Sequence, residues 1–123
     1  MNPRYRFFEH KGQQILLLDY SKLQGQEYVD FSRSIIGETL AIGQQDMFLL
    51  IDATDSLISR EVSEVHKEIT EKTQHLFKHI AFVGMDPLRR ILSNMALSIV
   101  TKKIRFFQTR EEAQDWLVQV AGK

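Results

Sequence analysis

The residues that could do chemistry gather at two joints. The first lies in Phe48-Leu49-Leu50-Ile51-Asp52-Ala53-Thr54-Asp55-Ser56-Leu57-Ile58-Ser59-Arg60-Glu61-Val62, where an apolar run gives way to a helical pattern. Asp52 and Asp55 are the residue types that serve acid–base work or hold a hard metal ion. An aspartate at a strand end more commonly accepts turn hydrogen bonds. Ser59 stands where a helix N-cap belongs, a role worth about 1 kcal/mol, and Glu61 is well placed against the helix dipole. A phosphate on Ser59 would meet the free amides of the first turn. Ser56 is the second serine at this joint and reads as a turn residue.

The second joint is Asp86-Pro87-Leu88-Arg89-Arg90. Asp86 is a natural N-cap and Pro87 a natural first helical residue. Arg89 and Arg90 then fall in the first turn, where the dipole disfavours cations. Their use would be an anion site at the carboxyl end of a parallel strand, with Lys102, Lys103 and Arg105 adding charge nearby in sequence. Exposed arginines that pair with neighbouring carboxylates are the plainer account. Glu71, His75 and His79 share one face if their segment is helical, a spacing that suits a transition metal. No fourth ligand accompanies them, so they are read as solvated helix surface, and no metal or other cofactor is expected.

These groups need elements to position them. Arg4–His10 reads as a strand, Lys11-Gly12-Gln13 as a tight turn, and 14–20 as a buried strand that closes a hairpin. Residues 26–42 place Tyr28, Phe31, Ile35, Ile36, Thr39 and Leu40 at helical spacing, with Gly43 as C-cap. Met47–Asp52 is an apolar run suited to a strand covered on both faces. Residues 59–79 carry a helical period through Val62, Val65, Ile69, Thr73, Leu76 and Phe77. A strand at 80–84 follows, then a helix burying Leu88, Ile91, Leu92, Met95 and Ile99. Residues 104–108 form a last strand, and Thr109-Arg110-Glu111-Glu112 is a capping box. It opens a helix that buries Ala113, Trp116, Leu117 and Val120. The order is β-β-α-β-α-β-α-β-α. The expectation is an α/β domain spanning 1–123, with a mixed, largely parallel sheet of about five strands and four helices.

Composition removes several functions. The 123 residues contain no cysteine, which excludes disulfides, thiolate zinc sites and cysteine nucleophiles. Sixteen Lys and Arg balance sixteen Asp and Glu, so the basic excess of a general nucleic-acid binder is missing. The start MNPRYRFFEHKGQQ lacks the apolar stretch of a signal peptide. No apolar run approaches the roughly 20 residues that cross a bilayer, so the cytoplasm is the expected location. There is no G-x-S-x-G elbow, P-loop or G-x-G-x-x-G fingerprint, and an enzyme is not expected.

The segments FLLIDATD, IAFVGMDPLRRIL and KIRFFQTREEAQDWL, taken together, resemble the SpoIIAA-like branch of the STAS superfamily. The final F-x-T-R-E-E-A-x-x-W-L is the most specific of them. The resemblance covers nearly the whole chain and implies a non-enzymatic regulatory module that binds a protein partner, with a homodimer as a further expectation. In the anti-sigma-factor antagonists of that superfamily, a helix-start Asp-Ser-Ser or Asp-Ser-Gly carries a regulatory phosphoserine. Here Ile58-Ser59-Arg60-Glu61 occupies that place. Ser59 sits where the aspartate would be, and Arg60 and Glu61 take the serine places, so the standard switch is expected to be missing. The alternative implied by the resemblance is a Sec14-like binder of a small apolar or anionic ligand. The surface expected to be used combines Asp55, Ser56, Ser59 and Arg60 with Asp86, Arg89 and Arg90.

Overall fold

The computed structural model describes residues 4–56, 59–84 and 103–122. Its framework is set by three apolar runs: β2 (Gln13–Asp19), β3 (Met47–Asp52) and β4 (Phe77–Val83). These strands pair in parallel, and both of their faces are covered. Continuous burial explains why they read as unbroken apolar stretches rather than as alternating ones. β1 (Tyr5–His10) pairs antiparallel with β2 on one side, and β5 (Ile104–Phe107) pairs parallel with β4 on the other. The sheet order is β1-β2-β3-β4-β5. Lys11 and Gly12 turn the hairpin with φ of 51° and 84°, the left-handed geometry that a two-residue loop needs to follow the strand twist.

Successive side chains on these strands serve opposite faces. Leu16, Leu18, Leu49, Ile51, Ile80 and Phe82 pack under helix α1 (Gly25–Ile42) and helix α2 (Arg60–Thr73). Ile15, Leu17, Leu50, Ala81 and Val83 pack under helix α3 (Arg110–Ala121) through Ala113 and Leu117. Each apolar strand therefore contributes to two cores at once. The mixed, largely parallel sheet agrees with the sequence reading. The expected helix from Asp86 onward, with Leu88, Ile91, Leu92, Met95 and Ile99, lies outside the described residues.

Two boundaries differ from expectation. The helical period was followed to His79, but α2 stops at Thr73, a single 3-10 turn covers Gln74–Leu76, and β4 has begun by Phe77. Thr70 and Thr73 donate their hydroxyls to the carbonyls of His66 and Ile69 at 2.7 Å, a back-bonding that suits a helix end. Leu76 and Phe77 fit either period; pairing of Phe77 with Met47 decides for the strand. In α1 the buried stripe is Tyr28, Ser32, Ile35 and Thr39, so Ile36 is only half-buried and Leu40 is 46% exposed. Residues 36 and 40 sit about 100° further round the helix than 35 and 39. Ser32 is inward because its hydroxyl donates to the Tyr20 phenol at 3.0 Å. Gly43 closes α1 in the left-handed conformation, as expected.

Candidate functional site

The carboxyl ends of β2 and β3 finish alike. Asp19-Tyr20-Ser21 and Asp52-Ala53-Thr54 are register neighbours in the sheet, and each folds its aspartate back on the residue two ahead. Asp19 Oδ1 accepts from the Ser21 amide at 2.9 Å and from its hydroxyl at 2.6 Å. Asp52 Oδ1 accepts from the Thr54 amide at 3.0 Å and from its hydroxyl at 2.6 Å. Both are Asx-type turns, which end a strand by giving its backbone a local partner.

Arg110 binds the two ends together. Thr109 caps α3, its hydroxyl accepting from the Glu112 amide at 3.2 Å and donating to the Glu112 carboxylate at 3.1 Å. This delivers Arg110 to the sheet edge as the first helical residue. Its Nε donates to Asp52 Oδ2 at 2.5 Å, and its Nη2 lies 3.5 Å from Asp19 Oδ2. A cation in the first turn opposes the dipole, and the two carboxylates offset that. Arg4 adds a brace: its Nη1 donates to the carbonyls of Asp19 and Ser21 at 3.0 and 2.9 Å.

Asp52 is 5% exposed. Burial by itself pushes its carboxyl pKa up, but the Thr54 hydrogen bonds and the Arg110 guanidinium outweigh that and hold it below the ordinary carboxylate range. Burial works against the charge of Arg110, but the hydrogen bond and charge of Asp52 overcome it and raise the pKa. Both oxygens of Asp52 are thus engaged and ionised near neutral pH. This is the chemistry of a structural clamp, not of a general base.

The loop beyond it is different. Asp55 is exposed and takes φ of 59°, so it does not pair with Asp52 as an acid–base couple. Ser56 turns inward: its hydroxyl donates to the Ala53 carbonyl at 2.7 Å and faces the Tyr28 phenol. Ser59 is the N-cap of α2, accepting from the Val62 amide at 3.2 Å, as expected. Arg60 is almost wholly in solvent, with Nε 3.5 Å from Glu64. Gly84, at the end of β4, lies against this loop: a Cβ there would meet Thr54 Oγ1 at 2.8 Å. Its φ of 71° also favours glycine. Asp86, Arg89 and Arg90, the other half of the expected surface, lie outside the described residues.

Under the loop is a polar–aromatic cluster that the sequence reading passed over. Tyr28 stacks on Tyr20 with centroids 4.5 Å apart, and its phenol meets His66 Nε2 at 2.5 Å. His66 is 3% exposed, and burial pushes its pKa down to about 3, so the ring is neutral. Burial also raises the phenol pKa of Tyr28. The cluster ties α1 to α2 beneath Ser56.

The Glu71–His75–His79 grouping does not form on one helix face, because His79 belongs to β4. Its ring stacks on Phe48 and meets Trp116 edge-on, with centroids 5.9 and 5.4 Å away. Among the described residues no three His, Asp or Glu side chains stand together as metal ligands. Between α1, α2 and the sheet the apolar core leaves a cavity of about 30 Å³. A groove of about 320 Å³ runs along the outside of α1 and α2, with Gln26, Arg33, Glu61, Glu64 and Glu68 in its walls.

Asp19, Arg110 and Arg4 were missed as members of the clamp. One signal was available: D-x-S and D-x-T each follow an apolar run. No local pattern links Arg110 to Asp52, because 58 positions separate them.

The SpoIIAA-like family model matches residues 14–118, and the chain belongs to that family. No curated protein matches the chain. Among solved structures it is similar to an uncharacterized protein of the DUF3478 family with a SpoIIAA-like fold from Shewanella loihica PV-4. Identity is 19%, the TM-score is 0.63, and the match covers 92% of this chain and 91% of that one. It is also similar to an anti-sigma-factor antagonist (STAS) domain protein from Planctomyces limnophilus, at 15% identity and TM-score 0.55, over 92% of this chain and 96% of that one. These likenesses show the fold. Among the described residues no helix is long and apolar enough to cross a membrane.

Proposed function

We propose that residues 1–123 act as one cytoplasmic regulatory unit that binds a protein partner without catalysis, in the manner of the anti-sigma-factor antagonists that its family resembles. The observation that carries this reading is the contrast at the first joint. Asp52, the buried acid, is saturated by Thr54 and Arg110, while Asp55, Ser59 and Arg60 stand in solvent on a loop held by that clamp. A clamped strand end with an exposed loop is a recognition surface rather than a reactive one.

The standard phosphoserine switch is absent on this reading. Arg60 and Glu61 hold the positions where the family's serines stand, the Ser59 hydroxyl caps α2, and the Ser56 hydroxyl is bonded inward. The surface includes Asp86, Arg89 and Arg90, and the unit pairs with a second copy of itself or with a distinct protein. The Sec14-like alternative asks for an apolar cavity of roughly 300 Å³ or more. The apolar cavity between helices and sheet offers about 30 Å³, room for about one water.

The test is crosslinking in the native host, followed by intact-mass analysis of the purified protein. A discrete protein adduct that the double variant Asp55→Arg, Arg60→Glu loses, with unchanged thermal stability, supports the reading. A co-purified lipid or small acid, or an adduct indifferent to the loop variant, sinks it. Stoichiometric phosphate on Ser56 or Ser59 would refute the claim about the switch.

A further inference from the structure

β5 stands at the end of the sheet order, and no described residue pairs with its outer side. An edge strand offers a row of backbone donors and acceptors to any extended segment that approaches it. The side chains here specify the segment. Arg105 and Phe107 alternate onto the α3 face of β5, where Phe107 and Trp116 lie 5.5 Å apart, centroid to centroid. The Arg105 guanidinium carbon lies 5.7 Å from the Phe107 centroid and 5.9 Å from that of Trp116. A guanidinium spread on aromatic faces is held in place while its in-plane N–H groups remain available to fork onto a carboxylate.

The charge around it has one sign. Register places His79 and Lys78 of β4 beside the amino end of β5, where Lys103 stands. Lys78 is exposed and, with Arg105, forms no ion pair among the described residues. Lys103 Nζ donates to the Gln74 carbonyl and side-chain oxygen, both at 3.1 Å, and these neutral acceptors leave its charge uncompensated. His79 reports the same field: burial, then the charges of Lys78 and Lys103, depress its pKa. Arg110 makes the contrast, since two aspartates neutralise it. The whole chain carries no net charge, so this edge is a local excess.

We propose that the outer edge of β5 is a docking site for an extended acidic segment of a protein partner, which adds a sixth strand and sets a carboxylate on Arg105. Backbone pairing supplies attachment, and Arg105, Lys78 and Lys103 select acidic side chains. The proposal extends the protein-binding reading to a second surface. Its outcome is independent of the loop variant above, because β5 shares no residue with the Asp55–Arg60 loop.

The probe is a fluorescein-labelled decapeptide of alternating valine and glutamate. Controls are the same peptide with lysine for glutamate, and a single-stranded oligonucleotide of equal charge. Binding to the full chain is followed by anisotropy and by amide shifts in nitrogen-15 spectra. The acidic peptide is expected to bind and to shift the amides of Ile104–Phe107 most. Arg105→Ala should weaken it about tenfold or more, as loss of a charge-assisted fork implies. Arg105→Lys should restore part of the loss, and Lys78→Glu, at an exposed site, should weaken binding without altering the melting temperature. Equal binding of the acidic and basic peptides overturns the proposal, as does a shift map centred away from β5. Tighter binding of the oligonucleotide than of the acidic peptide overturns it in favour of nucleic acid. No binding at millimolar peptide overturns it outright.

Discussion

Asp52 and Asp55 are three residues apart, and they live in different physical worlds. Asp52 closes a buried strand, receives two bonds from Thr54 and one from Arg110, and is ionised because those partners are fixed around it. Asp55 stands in solvent on the next turn with a left-handed backbone. The pair looks like one acidic site in sequence, yet it is a bolt and a loop tip. Two carboxylates near each other along a chain define a site only if the fold brings them to the same space. Here it instead brought Asp19 to Asp52, with an arginine between them.

The largest effect that would break this comparison is expected from Asp52→Ala. It strands a partly buried guanidinium and undoes the Thr54 turn, at a cost of about 2 to 3 kcal/mol, less than a fully buried pair because Arg110 is about a third exposed. Urea denaturation measures it; a cost as small as that of Asp55→Ala would show that the clamp bears no load. Asp55→Ala should lie within about 1 kcal/mol, and Asp55→Gly should be neutral or stabilising, since glycine accepts the positive φ freely.

Next in size is Tyr28→Phe, which leaves His66 Nε2 without its buried partner and should cost about 1 to 2 kcal/mol. Acid titration of stability separates the cluster from the clamp. The His66 pKa is lower folded than unfolded, so the unfolded chain gains the proton first. Stability therefore falls as pH drops from about 6.5 toward about 3. The pKa of Asp52 is also depressed; its contribution is complete above the ordinary carboxylate value and is lost as pH falls below about 4. Replacing His66 with phenylalanine should remove the upper phase and leave the lower one. A curve flat between pH 6.5 and pH 4 in the native protein would contradict the neutral, buried ring.

Two smaller effects sharpen the loop side. Ser59→Ala should cost about 1 kcal/mol through the lost cap, read as a lower urea midpoint with an unchanged slope. Arg60→Ala should change stability by less than about 0.5 kcal/mol, because its pair with Glu64 is in solvent. A larger loss would mean that Arg60 serves the fold and is not free to serve recognition.

Local periodicity made most of the framework legible. Met47–Asp52 appeared as a buried strand because all its faces demand apolar side chains, and Ser59 and Thr109 appeared as caps because cap chemistry is local. The end of α2 was obscured because Leu76 and Phe77 satisfy a helical and a strand period alike. His79 was misplaced with them, so a metal-like spacing dissolved once β4 claimed it. The roll of α1 turned on one serine hydroxyl meeting Tyr20, a contact with no signature in spacing.

What the sequence determined by itself was the set of elements, their order and the caps that start and stop them, since those depend on side chains within a few positions of one another. Only the tertiary structure decided the partners. It joined Arg110 to Asp19 and Asp52, seated His66 under Tyr28, and laid Arg105 across Phe107 and Trp116 at the sheet edge. Each of these contacts closes a span of chain in which nothing encodes the meeting except the shape of the packed sheet. The charge and burial that give those residues their roles exist only after that packing is complete.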